Sequence, residues 1–329
     1  MGLRKFVLGA AAALAAAAPA FAQSEAEAER IKAHVTFLAS DLLQGRESGS
    51  PGFDIAAAYV ASQLAQLGVK PAGANGSYFQ PVPMAGFRPA DEGRFVLKTK
   101  AGETPLVFGE DYVPGRNPLA AETRLSAPVV FVGYGVVAGK RDDYAGLKVK
   151  GKIVVALSGA PKTFQTEERA YYANARTKRL EAEKRGAVGF IYLATPDDER
   201  RRPFSNSARQ WQNWGMSWRQ PDGGTFTPAG ATPQVASFSV QGARKLFAGA
   251  PKTYEEVTAI AEATGAPPRF ALPLALDLAI KTELRTVESA NVVGLIEGAD
   301  PVLKNEVVVL SAHLDHIGVT PPIKGDGVN

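Results

Sequence analysis

In the region from residue 24 to residue 68, apolar residues recur at intervals of three and four, which predicts two amphipathic helices. Ser24 and Glu27 form a capping box for the first helix. Ser50 caps the second helix, Pro51 takes its favoured first position, and Gly68 ends it. The apolar stripes consist of Ile31, Val35, Leu38 and Leu42 in the first helix and Phe53, Ala57, Val60, Leu64 and Leu67 in the second.

The middle of the chain alternates between strand and helix patterns. A β-branched run at 127–132 and the apolar run at 153–157 predict strands, residues 167–185 predict an amphipathic helix, and 190–193 predict another strand. This alternation predicts a compact module with its own hydrophobic core.

From Leu278 onward the pattern is strand-like, and one strand is predicted over Ala290–Ile296. The segment Glu306–Leu310 contains four consecutive apolar residues. A continuous run of this kind predicts a strand that is buried on both faces, as in the middle of an α/β sheet.

Composition narrows the function classes. The 329 residues are enough for two domains, and 45% of them are hydrophobic. The net charge is only +4, and the nearest thing to a cluster of Lys and Arg, at 200–202, directly follows three acidic residues at 197–199. This argues against binding to nucleic acid or to a membrane surface. The sequence has no cysteine, so disulfides are excluded and any metal site must use His and carboxylate ligands.

Residues 1–22 have the pattern of a secretory signal. Arg4 and Lys5 precede an apolar run over Val7–Ala18, and Ala20-Phe21-Ala22 supplies a cleavage site. The apolar run is shorter than the roughly 20 residues of a membrane span, so cleavage is favoured over an uncleaved anchor. We therefore expect a secreted or periplasmic bacterial protein that leaves the membrane after cleavage.

The candidate chemistry lies in residues 311–318, directly after the predicted buried strand. His313 and Asp315 are two positions apart, so on extended backbone they point to the same side. Asp315 could then hold the imidazole of His313 or share a metal with it, at the carboxyl end of a strand where α/β sheets place ligands. A surface loop and a structural histidine remain open alternatives. Two of the three histidines of the sequence, His313 and His316, lie in this segment. We expect the third, His34, to be an ordinary helix residue.

Dispersed motifs resemble those of the co-catalytic di-zinc exopeptidases of the aminopeptidase Y and bacterial leucyl aminopeptidase type, which include glutamate carboxypeptidase relatives. Besides His313-Leu314-Asp315, the resemblance is carried by residues 38–41, 45–46, 49–52 and 290–294. The middle resembles a protease-associated (PA) domain at 129–135, 151–154 and 186–190.

The resemblance implies an α/β fold: a three-layer α/β/α zinc-peptidase domain, truncated and with a mixed sheet, into which a β-rich PA-like domain is inserted. The implied segments are a signal peptide at 1–22, the first part of the peptidase domain at 23–115, the PA-like insert at 116–279 and the second, incomplete part of the peptidase domain at 280–329.

By the same resemblance His313 is a zinc ligand and Asp315 is a catalytic residue that orients it, while His316 and Asp326 lie nearby without an assigned metal contact. The bridging aspartate, the general-base glutamate and the remaining ligands would follow Asn329, so we expect the 329-residue chain to be inactive. The complete protein would bind two Zn²⁺ ions and release amino-terminal residues from peptides.

Several alternatives stay open. A carboxypeptidase or dipeptidase of the same family shares the motif, and a non-catalytic PA-domain binding protein is a third reading. Arg46 is expected to have a structural role, with substrate binding as the alternative. Trp211, Trp214 and Trp218 could pack in a core or lid, or form an aromatic binding surface on one helix face. The sequence does not determine residue preference or oligomeric state.

Overall fold

The computed structural model of the chain describes residues 25–320. The predicted signal peptide at 1–22 and Asp326 lie outside this range. The chain divides into two compact units. A two-segment unit takes the residues up to Val82 and from Glu288 onward, and a continuous unit comprises Pro83–Val287. Within 25–320, no helix is both long and apolar enough to cross a membrane.

Two helices begin the two-segment unit, as the sequence predicts. The first, α1, extends from the first described residue to residue 38. The second, α2, spans Pro51–Gln66, and the Oγ of Ser50 accepts a hydrogen bond from the amide of Phe53 at 3.2 Å. This is the predicted cap, and Gly68 follows with a φ of 72°. Phe53 is buried, which confirms the start of the predicted apolar face of α2.

Most of the apolar stripe predicted for the first helix is exposed. Ile31 and Val35 on α1 and Leu42 after it are accessible to solvent. Their spacing is that of a helix, but within the described residues no apolar surface covers them.

A ten-stranded mixed sheet organises the structure. Its strands are β2 Phe79–Pro89, β3 Arg94–Thr99, β4 Gly102–Pro105, β5 Tyr112–Pro114, β6 Glu122–Phe131, β9 Ile153–Leu157, β10 Gly189–Leu193, β11 Gly215–Trp218, β12 Gln234–Phe238 and β13 Phe270–Val292. The centre of the sheet consists of the parallel strands β6, β9, β10 and β12, and β5 and β13 add to the two sides of this group in antiparallel orientation. Beyond β13 the order continues through β2 to β11, while β3 pairs with β13 and β4.

Two short antiparallel pairs complete the strands. They are β1 Lys70–Pro71 with β14 Gly294–Leu295, and β7 Val137–Ala138 with β8 Arg141–Asp142.

The central strands are buried on both faces. Every residue of β9 is buried, and its alternate positions enter two different clusters: Val155 faces one and Val154 the other. Successive side chains of a strand point to opposite faces, so both faces must be covered. The helices of the continuous unit are α3 Thr166–Ala173, α4 Ala175–Lys184, α5 Pro196–Arg201, α6 Phe204–Arg209, α7 Val240–Leu246 and α8 Tyr254–Thr264. Helices α7 and α8 contribute to the first cluster and α4 to the second.

The α/β class predicted from the sequence is confirmed, as are the strands at 153–157 and 190–193. The helix predicted over 167–185 is broken at Asn174, where the backbone is extended (ψ 126°) and the side chain caps α4 by accepting from the Arg176 amide. A residue that prefers to cap a helix therefore interrupts a pattern that is otherwise continuous.

The buried strand predicted over Glu306–Leu310 is wrong. The segment has no strand structure, and Val308 and Leu310 are 89% and 93% exposed. A strand needs a neighbour for its backbone hydrogen bonds. Within the described range nothing pairs with this segment, so apolar composition alone does not make it a strand.

The structural division differs in position from the predicted domain limits. Residues 83–115 belong to the continuous unit, because β3 and β5 pair within its sheet. The identification of one unit as a peptidase domain and the other as a PA-like insert stays a prediction.

Candidate functional site

The break between α1 and α2 is a tight turn with an uncommon backbone. It contains a 3₁₀ helix over Asp41–Arg46, in which Gln44, Gly45 and Arg46 have φ values of 48°, 76° and 57°. Three consecutive residues in the left-handed region are costly, because only glycine adopts that region freely. Surrounding contacts must therefore hold the turn.

Those contacts come from residues 314–318, which are part of the segment 311–318 that carries the candidate chemistry. The Nε of Arg46 donates to the carbonyl of Leu314 at 3.0 Å, and the amide of His316 donates to the carbonyl of Arg46 at 3.0 Å. A Cβ placed on Gly45 would lie 2.3 Å from the carbonyl oxygen of Ile317. Glycine is thus required at this close approach, and Arg46 has a structural role in positioning the segment.

His313 and Asp315 lie next to each other, with different partners from those expected. The Nδ1 of His313 is 2.8 Å from the main-chain oxygen of Asp315 and 3.8 Å from its carboxylate. The carboxylate instead accepts a hydrogen bond from the Oγ of Ser48 at 3.3 Å. The side chain of His313 is 81% exposed.

This geometry fixes the tautomer of a neutral His313. A carbonyl oxygen can only accept, so Nδ1 carries the proton and Nε2 keeps a free lone pair. The imidazole can therefore bind a metal through Nε2. The sequence predicts that Asp315 orients His313, but it does not indicate the main-chain oxygen or Ser48 as partners. The glycines of segment 45–52 are the sequence signal closest to Ser48.

Within 25–320, no group of three or more His, Cys, Asp or Glu side chains is arranged to bind a metal. Protein zinc sites use three or four such ligands, and His313 supplies one. His316 is exposed, and its described contact is made by the backbone. His34 binds the hydroxyl of Tyr59 at 2.7 Å, in agreement with a structural role.

The three tryptophans do not share a helix face. Trp211 follows α6 and packs against Phe108, Trp214 lies under the guanidinium of Arg285 at 3.9 Å, and Trp218 is a half-exposed residue of β11. The alternative of an aromatic surface on one helix face is therefore wrong, because the backbone between them is not helical.

The continuous unit contains a separate cavity of about 630 Å³ at the carboxyl ends of β9 and β10. Lys178 of α4 is completely buried, and its Nζ donates to two carbonyl oxygens of the cavity wall, of Leu157 at 2.7 Å and of Gly159 at 2.5 Å. Burial lowers the pKa of Lys178 to about 7, although the charges of Asp143 and Asp198 oppose the shift. Sequence patterns gave no signal for this lysine.

No family model matches the chain, and no curated protein matches it significantly. Among solved structures it is similar to an aminopeptidase from Aneurinibacillus sp. strain AM-1, with 19% identity, a TM-score of 0.40, and coverage of 83% of this chain and 49% of that chain.

Two structures of a zinc aminopeptidase from Bacillus subtilis also match, both with a TM-score of 0.29. Their identities are 13% and 14%, and the matches cover 82% and 81% of this chain and 47% and 46% of theirs. The chain spans about half the length of the structures it matches. Similarity at this level assigns no activity to the chain.

Proposed function

We propose that the chain is part of a zinc-dependent aminopeptidase that releases amino-terminal residues from peptides. In this proposal His313 is one zinc ligand and Asp315 positions it. The observation that carries the proposal is the hydrogen bond from Nδ1 of His313 to the main-chain oxygen of Asp315. It leaves the exposed Nε2 free for a metal, as in zinc sites where a carbonyl or carboxylate partner orients the ligand.

Two further features support the proposal. The motif is held in place by Arg46 and Ser48, so the His313 ring has a defined support. The sequence motifs around it also occur in the order found in di-zinc exopeptidases. Because residues 25–320 provide a single imidazole ligand, the proposal requires further ligands outside this range.

The test uses the full-length protein that contains this chain. We expect about two zinc ions per molecule by elemental analysis and hydrolysis of leucine p-nitroanilide. His313→Ala should lose zinc and activity together. His316→Ala, three residues away, and His34→Ala are matched controls that should keep both. A His313→Ala variant with wild-type zinc content and activity would contradict the assignment.

Blocked peptides separate the alternatives. An aminopeptidase cleaves a peptide with a free amino terminus and an amidated carboxyl terminus, and does not cleave the amino-acetylated form. The opposite selectivity would indicate a carboxypeptidase. Absence of both zinc and hydrolysis in the full-length protein would favour a non-catalytic binding protein.

A further inference from the structure

A second cavity of the continuous unit is lined by three arginines. Its volume is about 500 Å³, and it lies beside the end of β5 and the α6 helix. Arg116 follows β5, Arg179 belongs to α4, and Arg202 follows α5. Among the described residues that line the cavity there is no Asp or Glu. Three cationic side chains from distant parts of the sequence thus converge on one concave surface.

The first two arginines are bound only to neutral acceptors. Arg116 donates to the carbonyl of Asn213 at 2.5 Å, and Arg179 donates through Nε and Nη2 to the carbonyl of Thr232 at 3.1 and 2.8 Å. Burial lowers the pKa of both guanidinium groups, and the charge of Glu183 partly opposes this at Arg179. Both nevertheless remain protonated, because an arginine does not lose its proton in a protein.

The third arginine is exposed at the cavity wall. Arg202 donates to the side-chain oxygen of Gln210 at 3.1 Å. Within the described part of the chain, none of the three arginines forms an ion pair with a carboxylate. The charge of Glu183 offsets part of the charge of Arg179. The remaining positive charge of the cavity has no paired carboxylate among the described residues, and a concave, partly desolvated surface increases its attraction for anions.

The 630 Å³ cavity provides a contrast within the same unit. Its wall carries four cations, and three of them are paired: Lys162 with Glu262 at 3.1 Å, and Arg200 and Arg201 with Asp197 at 3.0 and 3.1 Å. Among the described residues Arg169 is the one cation of this wall without an ion pair, and four carboxylates line the same cavity, whereas none lines the 500 Å³ cavity.

The rest of the lining of the three-arginine cavity is mixed. Apolar surface is provided by Phe87, Pro114, Pro118 and Trp211, and uncharged polar side chains by Ser207, Gln210, Asn213 and Gln234. A guanidinium group binds a carboxylate through two parallel hydrogen bonds, while the aromatic and proline surfaces suit an apolar body. We propose that this cavity binds a small organic carboxylate with an apolar or aromatic body. This site is distinct from the His313 segment and does not depend on zinc.

The test is a calorimetric titration of the whole chain with two matched probes and one inorganic anion. N-acetyl-L-phenylalanine carries the carboxylate, its amide lacks the charge, and inorganic phosphate has the charge without the apolar body. We expect saturable binding of one carboxylate probe per chain, with the amide and phosphate each at least about tenfold weaker. Affinity should also fall as salt is raised.

Variants locate the site. Arg202→Ala and Arg116→Lys should each weaken binding of the carboxylate about tenfold. Arg200→Ala, which removes the same charge from an exposed, ion-paired position, should leave it unchanged. Because Arg202 is exposed, the Arg202→Ala variant should fold, and circular dichroism checks this. If Arg116→Lys does not fold, the result for Arg202→Ala decides the test. Equal binding of acid and amide, preference for phosphate, no binding at millimolar probe, or an equal loss in Arg200→Ala would each overturn the proposal.

Discussion

Lys178 makes the stability of the continuous unit depend on pH in an unusual direction. Its side chain is fully buried, and burial lowers its pKa from 10.5 to about 7. Between these values the unfolded chain holds the proton and the folded chain does not. The free energy of unfolding must therefore rise with pH, by about 1.4 kcal/mol per unit for one proton. Below pH 7 both states are protonated, and this contribution is constant.

From pH 7.5 to 9.5 the expected increase is about 2–3 kcal/mol. The ionisation of buried tyrosines sets the upper limit of the pH range in which this increase can be measured. Burial raises the pKa of Tyr192 to about 12 and that of Tyr144 further, so their ionisation in the unfolded chain removes stability above pH 10. The chosen window lies below that region.

The perturbation is Lys178→Met, which keeps the length of the side chain and removes the titrating group. Its effect at a single pH is not decisive, because the carbonyls of Leu157 and Gly159 lose a donor, at a cost of about 1–3 kcal/mol. The slope against pH is decisive and should flatten in the variant. Lys162→Met, at an exposed position paired with Glu262, should keep the wild-type slope.

Tryptophan fluorescence during urea denaturation is a suitable assay. The three tryptophans of the sequence, Trp211, Trp214 and Trp218, all lie in the continuous unit, so the signal follows that unit. The same slope in wild type and Lys178→Met between pH 7.5 and 9.5 would refute the reasoning.

Two further predictions concern the two-segment unit. Gly45→Ala places a Cβ against the carbonyl of Ile317 at a φ of 76°, so it should cost about 2 kcal/mol or more and remove the hydrogen-exchange protection of the His316 amide. Val308→Lys should change the free energy of unfolding by less than about 0.5 kcal/mol, because the side chain is exposed, and it should reduce self-association measured by light scattering.

A control variant shows whether the effect of Gly45→Ala comes from the close approach to Ile317 or from adding a Cβ at any residue with a positive φ. Gly68→Ala has a similar φ of 72° with no atom near the added Cβ, so it should keep the His316 amide protected. Protection that survives in Gly45→Ala would show that the close approach does not hold the segment. A loss of several kcal/mol in Val308→Lys would instead support the buried strand that the sequence predicted for this segment.

Local signals explain which parts of the fold were predictable. Ser50 and Pro51 define the start of α2 from adjacent positions, and the run at 153–157 is apolar and short enough to be a strand. Val308 belongs to a similar run, but whether a run becomes a strand depends on a partner far away in sequence. Pattern alone cannot supply that partner.

For the candidate site, too, the local sequence pattern indicated the residues but not their distant partners. His313 and Asp315 stood out because the sequence has only three histidines. The partner of Nδ1 depended on main-chain geometry, which residue types do not determine. The convergence of Arg116, Arg179 and Arg202 had no sequence signal, because each arginine follows or belongs to a different element.

The contact between Arg46 and Leu314 joins residues that are 268 positions apart. The whole continuous unit is synthesised between them and has its own core, so it can fold while the chain is still emerging from the ribosome. The left-handed turn at 44–46 lacks its contacts with residues 314–318 until residue 318 has been synthesised. The candidate site is therefore among the last parts of the described chain to form.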